Sequence, residues 1–143
     1  MHTVKRSVLV PYSAARMFDL VAEVDQYPQF MPWCGDARIL ERTDSGMRAS
    51  ITISFAGVRQ AFTTHNTHDY PNSIRLQLVD GPFSALEGLW EFQPLADDAC
   101  KVLFTLDYAF SNGLLERVVG PVFNRIATSF IDAFTQRADQ VYG

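Results

Sequence analysis

The fold is decided by residues 100–141, which read CKVLFTLDYAFSNGLLERVVGPVFNRIATSFIDAFTQRADQV. From Cys100 to Phe110 every second side chain is apolar, and this period of two predicts a half-buried strand. After Ser111-Asn112-Gly113 the apolar side chains recur every three or four residues, which is the spacing of one helix face. The stretch therefore predicts a last strand followed by one long amphipathic helix.

Gly120 and Pro121 fall inside that helical pattern. An interior proline removes one backbone hydrogen bond and clashes with the preceding turn. We therefore expect a kink or a restart of the helix at this point.

The period of two continues backward from the last strand to residue 37. Residues 47–56 are the clearest of these earlier strands, and further strands are predicted at residues 60–70, around Leu76 and around Trp90. In residues 60–70 both alternating sets contain polar side chains, so neither face of that strand is simply apolar.

The N-terminal third predicts one more strand and two short helices. Residues 4–10 predict a strand, and Ser13 is a suitable N-cap for a helix that ends before Asp25. Pro28 and Pro32 then leave room for at most a short second helix. The element order predicts an α+β fold, with a curved antiparallel sheet of about six or seven strands wrapped around the C-terminal helix to enclose an apolar cavity.

Composition limits the classes of function. The chain has 143 residues, 48% of them hydrophobic, and a net charge of −4, which suits one domain and disfavours DNA binding. The only candidates for a local basic patch are Arg117, Arg125 and Arg137, with a solvated helix face as the alternative. No signal peptide or membrane-spanning run is present, and Cys34 and Cys100 are far apart in sequence, so we expect a cytoplasmic protein with reduced thiols.

Metal and enzyme chemistry find little support in the sequence. His65 and His68 are three residues apart in a strand, so they face opposite sides and do not converge on a metal ion. An acid or base for an enzyme would have to be His68, Asp107 or Tyr108, although no nucleophile elbow, phosphate loop or carboxylate pair accompanies them. We expect no catalytic residue and no metal site.

Alternation and helical spacing together predict twelve residues that line the cavity. The alternative for each of them is ordinary core packing, in which large apolar side chains are commonly buried. The predicted ligand-binding residues are Trp33, Phe83, Leu86, Trp90, Phe92, Phe104, Leu106, Tyr108, Val119, Phe123, Ile126 and Phe130.

Three quoted stretches carry a resemblance to a known family. They are Tyr27-Pro28-x-Phe30-x-Pro32-Trp33-Cys34, then Asp80-Gly81-Pro82-Phe83 with Leu86-Glu87-Gly88-x-Trp90-x-Phe92, and finally Gly120-Pro121-Val122-Phe123-Asn124 followed by Ala133-Phe134-x-x-Arg137-Ala138. Together they resemble the coenzyme Q-binding START-like proteins of the polyketide cyclase/START superfamily. The resemblance spans nearly the whole chain and implies a single START-like ligand-binding domain over residues 1–143 with the helix-grip fold.

The resemblance implies three functions. The first is non-enzymatic binding of ubiquinone or a related polyprenyl quinone, or another lipid, in support of respiratory quinone function, with no cofactor required. The alternative is a ribosome-association toxin that binds the large ribosomal subunit and blocks subunit association, and the third is a polyketide cyclase-like enzyme. The first of these implies a cytoplasmic protein that is peripheral to the inner membrane at most, with transient membrane contact.

Overall fold

A computed structural model describes all residues 1–143. The elements follow in the order β1 (His2–Val10), α1 (Ala14–Ala22), a 3-10 helix (Val24–Gln29), β2 (Cys34–Thr43), β3 (Gly46–Phe55), β4 (Val58–Asp69), β5 (Ser73–Asp80), β6 (Phe83–Ala96), β7 (Ala99–Phe110) and α2 (Gly113–Tyr142). The seven strands form one antiparallel sheet in the order β1-β7-β6-β5-β4-β3-β2. The predicted α+β fold, with a sheet wrapped around the C-terminal helix, is confirmed.

The N-terminal helices begin and end where the sequence predicts. The Ser13 hydroxyl accepts a hydrogen bond from the Arg16 backbone N–H at 3.2 Å, as an N-cap does. α1 ends at Ala22, before Asp25, and Pro28 lies within the short 3-10 helix that follows.

The core lies between the concave face of the sheet and α2, and it contains 37 buried hydrophobic residues. Phe123 of α2 is central to one end of it, with its ring centroid 4.9 Å from that of Phe83 and 4.7 Å from that of Tyr108. β7 supplies a full row of inward side chains, because every second residue from Cys100 to Phe110 is buried. The alternation of apolar side chains that predicted β7 therefore also places these side chains in the core.

α2 runs from Gly113 to Tyr142 without interruption, so the restart expected at Gly120-Pro121 is absent. Pro121 is exposed, and a carbonyl left unpaired on that side of the helix can bond to water. Gly120 is buried against the Phe110 ring. Asn112 caps the helix, since its Oδ1 accepts from the Leu115 N–H at 2.9 Å. No helix combines the length and the apolarity needed to cross a membrane.

The sheet divides locally between β5 and β6. Their pairing runs from Ser73 opposite Glu91 only as far as Gln77 opposite Glu87. Beyond this point β5 continues along β4, and β6 begins along β7. The two strands therefore leave a groove on the outer side of the sheet.

Candidate functional site

A cavity of about 60 Å³ lies between the concave face of the sheet, α1 and α2. Twenty residues line it, of which 17 are hydrophobic. They are Val21, Ala22, Val24, Tyr27, Met31, Ala49, Ile51, Phe62, Thr64, Asn66, His68, Ile74, Leu76, Leu86, Trp90, Phe104, Leu106, Phe123, Phe130 and Phe134.

Half of the twelve residues predicted from the sequence line this cavity. The six that do are Leu86, Trp90, Phe104, Leu106, Phe123 and Phe130. Whether any of these side chains contacts a ligand stays a prediction.

The other six do not line this cavity and are buried in the core, so their role in ligand binding also stays a prediction. They are Trp33, Phe83, Phe92, Tyr108, Val119 and Ile126. The concave face is longer than the cavity, so inward side chains near its ends pack on neighbours instead. Trp33 and Phe130 have ring centroids 5.5 Å apart, and the Tyr108 hydroxyl donates to Asn124 Oδ1 at 3.2 Å.

The remaining wall comes from elements that the sequence prediction left out. One side is α1 and the segment after it, including Val21, Tyr27 and Met31, and apolar side chains in such a segment are as consistent with ordinary core packing as with a cavity wall. The other is the β3–β5 part of the sheet. The sequence feature that could have indicated this part of the wall is the presence of polar side chains in both alternating sets of residues 60–70. In the structure one of these sets faces the cavity and the other faces outward.

Three polar residues on β4 face the cavity: Thr64, Asn66 and His68. The Thr64 hydroxyl donates to Asn66 Oδ1 at 2.6 Å, while His68 Nε2 is buried without a hydrogen-bond partner. Burial lowers the pKa of His68, and the positive charge of Arg42 lowers it further. The ring is therefore mainly neutral at pH 7.

The size of the cavity decides what fits into it without rearrangement. At about 10–15 Å³ for each water, 60 Å³ holds about four to six waters, whereas pockets for drug-sized ligands measure about 300–1,000 Å³. The amide and imidazole of the polar residues suit a quinone carbonyl, but the volume does not admit a polyprenyl quinone. Side chains would have to move before such a molecule could enter.

The acid–base candidates do not meet at one site. Only His68 lines the cavity, since Asp107 is on the outer face, where it accepts from the Thr3 hydroxyl at 2.7 Å. His65 lies in the outer groove, so its predicted separation from His68 is confirmed. No group of three or more His, Cys, Asp and Glu side chains is arranged to hold a metal ion.

The outer groove adjoins the cavity through one side chain. It has a volume of about 560 Å³ and is lined by nine residues, among them Gln77, Ser84 and Glu87. Leu86 is 3% exposed and lines both the groove and the cavity. Leu86 therefore separates the interior space from the split between β5 and β6.

The three C-terminal arginines do not form one basic patch. At 1.5 Å per residue they are separated by about 12 Å and about 18 Å along α2. The Arg125 guanidinium lies 5.6 Å from the Phe55 ring centroid, and Arg137 lies 5.0 Å from that of Phe30. Arg137 also donates to Gln29 Oε1 at 3.2 Å, so it serves a contact within the chain.

Comparison with known proteins gives the chain a family. The family model described as polyketide cyclase/dehydrase and lipid transport matches residues 10–135. The chain belongs to that family. Within it, the chain is 46% identical over 142 residues to the ribosome association toxin RatA of Escherichia coli K12, covering 99% of this chain and 90% of that protein.

Two more distant similarities extend over nearly the whole chain. The mitochondrial coenzyme Q-binding protein COQ10 homolog B of Xenopus laevis is 26% identical and covers 96% of this chain, which spans 58% of that protein. A START superfamily protein of Mycobacterium smegmatis superposes with a TM-score of 0.79 at 22% identity, over 99% of both chains. That likeness shows the START fold alone, and the recognition of a START-like family from the sequence is confirmed.

Proposed function

We propose that this protein binds the large ribosomal subunit and blocks its association with the small subunit. The observation that carries the proposal is the 46% identity to a ribosome association toxin across 99% of the chain. Similarity to the coenzyme Q-binding relative is much lower, at 26%. The ribosomal alternative drawn from the resemblance is therefore better supported than quinone carriage.

A ribosomal partner requires exposed cations, because contact with RNA is dominated by phosphate groups. The outer face of the sheet carries four exposed arginines, of which Arg38 is paired with Asp36, while Arg48, Arg59 and Arg75 form no ion pair. Arg48 is opposite His65 and Arg75 is opposite Thr67, so both border β4. These arginines supply exposed cations despite the net charge of −4, although Glu41 is opposite Arg48 on β2.

The direct test is sedimentation of the purified protein with isolated large and small subunits. We expect the protein to travel with the large subunit and not with the small one. Replacing Arg48 and Arg75 together by Gln should weaken binding and lower the slope of log K against log salt by about two, because each arginine would neutralise one phosphate.

The matched control is the double substitution Lys5→Gln with Lys101→Gln on β1 and β7. Both double variants change the net charge from −4 to −6, since each removes two positive charges. Equal weakening by both would show only a general charge effect. No cosedimentation of the wild-type protein with either subunit would refute the proposal.

A second candidate function is the binding of a small hydrophobic ligand in the cavity. The observation that favours it is the apolar wall combined with a buried His68 nitrogen that has no partner. Native mass spectrometry of the purified protein should then show a bound small molecule. Ala49→Leu, which adds bulk to the cavity wall, should release it, and equal retention by this variant would place the molecule elsewhere.

A further inference from the structure

The cavity has an uneven distribution of polar groups. All three polar residues in its wall are on β4, at positions 64, 66 and 68, and residues two apart in a strand face the same side. Thr64 is 6% exposed and Asn66 is 4% exposed. Of the other lining side chains, only the Tyr27 hydroxyl and the Trp90 indole N–H can form hydrogen bonds, and the Tyr27 hydroxyl already donates to the Val21 carbonyl oxygen. We call Thr64, Asn66 and His68 the β4 polar row.

The β4 polar row has more hydrogen-bonding capacity than the protein uses. Thr64 donates to the carbonyl oxygen of Asn66, which leaves both N–H bonds of the Asn66 amide without a protein acceptor. His68 Nε2 has no partner either. A buried polar atom without a partner, as His68 Nε2 is, destabilises a fold, whereas apolar residues of the same shape would avoid that loss. A core strand gains nothing from such a row unless something else bonds to it.

The residues of the cavity wall favour an uncharged ligand over a charged one. His68 is the only titratable group besides Tyr27 among the lining residues, and its ring lies edge-on to Phe18 with centroids 5.3 Å apart. Arg42 is close enough to His68 to affect its titration but does not line the cavity. A charged head group would thus lose its hydration without gaining a counter-ion in the wall.

We propose that the β4 polar row recognises the oxygen of an uncharged, otherwise apolar ligand, a carbonyl oxygen being the best match to the free Asn66 N–H groups. This inference rests on the proposed ligand-binding function and names its ligand class. The apolar body of the ligand lies against Trp90, Phe104 and Leu106, and its oxygen replaces the water that a polar cavity of this size would hold. Thr64 acts as a positioning residue, because its bond to Asn66 Oδ1 turns the amide N–H groups toward the cavity.

The test uses two probes of nearly equal shape, acetophenone and α-methylstyrene, in which a C=CH₂ group replaces the C=O group. Titration followed by NMR should show that the wild-type protein binds acetophenone about tenfold more tightly, which corresponds to one good hydrogen bond. The Asn66 side-chain N–H signals should shift with acetophenone and stay in place with α-methylstyrene.

The variant is the double substitution Thr64→Val with Asn66→Leu, which removes both partners of the internal hydrogen bond together, so neither of them is left without the other. We expect the variant to stay folded and to lose the tenfold preference while still binding α-methylstyrene. The control is Leu76→Met, which alters the apolar wall on β5 beside Asn66 and should keep the preference.

The outcomes distinguish ligand binding in the cavity from recognition of the ligand oxygen by the β4 polar row. If the wild-type protein binds both probes equally, or the double variant keeps the preference, the β4 polar row does not recognise the oxygen, although the cavity still binds ligands. If the wild-type protein binds neither probe, ligand binding in this cavity is refuted together with the inference. A shift of the Asn66 signals by α-methylstyrene as large as that by acetophenone would also overturn it.

Discussion

At the scale of single residues, Cys34 links burial to a measurable pH dependence. It is 6% exposed at the start of β2, and burial raises the pKa of its thiol from 9.0 to about 11. The folded state therefore holds the thiol proton more tightly than the unfolded chain. Its contribution to stability is fully present below pH 9 and is lost as the pH rises from 9 toward 11.

We predict that the free energy of unfolding falls as the pH rises through this interval, and that the fall is smaller in Cys34→Ala. Urea unfolding at pH values on both sides of the interval measures it. Some decline should remain in the variant, because burial also raises the pKa of Cys100. An identical decline in both proteins would contradict the assigned role of Cys34.

Two glycines make a contrasting pair of predictions. A Cβ at Gly46 would lie 1.8 Å from the backbone oxygen of Asn66, whereas a Cβ at Gly88 would lie 3.0 Å from Leu76 Cδ1 and 3.2 Å from Leu106 Cδ1. Backbone cannot move aside, but both leucines border the cavity and can shift into it. Gly46→Ala should destabilise the protein by at least about 3 kcal/mol and Gly88→Ala by less than about 1 kcal/mol, as measured by urea unfolding. Similar losses in the two variants would mean that the space beside Gly88 is not available.

At the scale of elements, the split between β5 and β6 makes Leu86 the barrier between the cavity and the outer groove. Leu86→Ala should destabilise the protein by about 3 kcal/mol and also open the cavity to solvent. Leu106→Ala is the control, since Leu106 lines the cavity but not the groove. Hydrogen exchange of the Asn66 side-chain amide should therefore be faster in Leu86→Ala than in Leu106→Ala. Equal rates would place the route of access elsewhere.

The elements also show which parts of the structure a sequence can predict. Periodicity identified β7 and α2 because each depends on a local pattern, and Ser13 and the two prolines set the bounds of the first helices. The cavity wall was predicted only in part. An inward side chain at the end of the sheet, such as Phe92, looks in sequence like one in the middle, such as Phe104, and only the curvature of the sheet around α2 separates them.

Asn66 was missed for a different reason. Its strand has polar side chains on both faces, so alternation did not indicate which face is buried, and the pairing of β4 with β3 and β5 was needed to decide. The unbroken course of α2 through Pro121 also depends on the tertiary fold, because it requires that the proline be on the solvent side. Sequence patterns thus predicted the helices and strands better than they predicted which side chains line the cavity between them.

At the scale of the whole molecule, the proposed functions use different surfaces. The proposed ligand site is inside the sheet, on the β4 polar row, whereas the proposed ribosome-binding surface is the outer face with Arg48 and Arg75. Because these side chains are on opposite faces, substitutions in the cavity should leave ribosome binding unchanged as long as the fold is intact. The acidic net charge of −4 also means that any attraction to ribosomal RNA is local and sensitive to salt.

The most direct test of the central claim is the joining of ribosomal subunits, followed by sucrose-gradient profiles after the protein is mixed with the large subunit and the small subunit is then added. We expect joined ribosomes to decrease as the protein approaches the concentration of the large subunit, with free subunits increasing in step. The control is the Arg48→Gln, Arg75→Gln variant, which should require more protein for the same effect. Normal joining in the presence of excess folded wild-type protein would contradict the account.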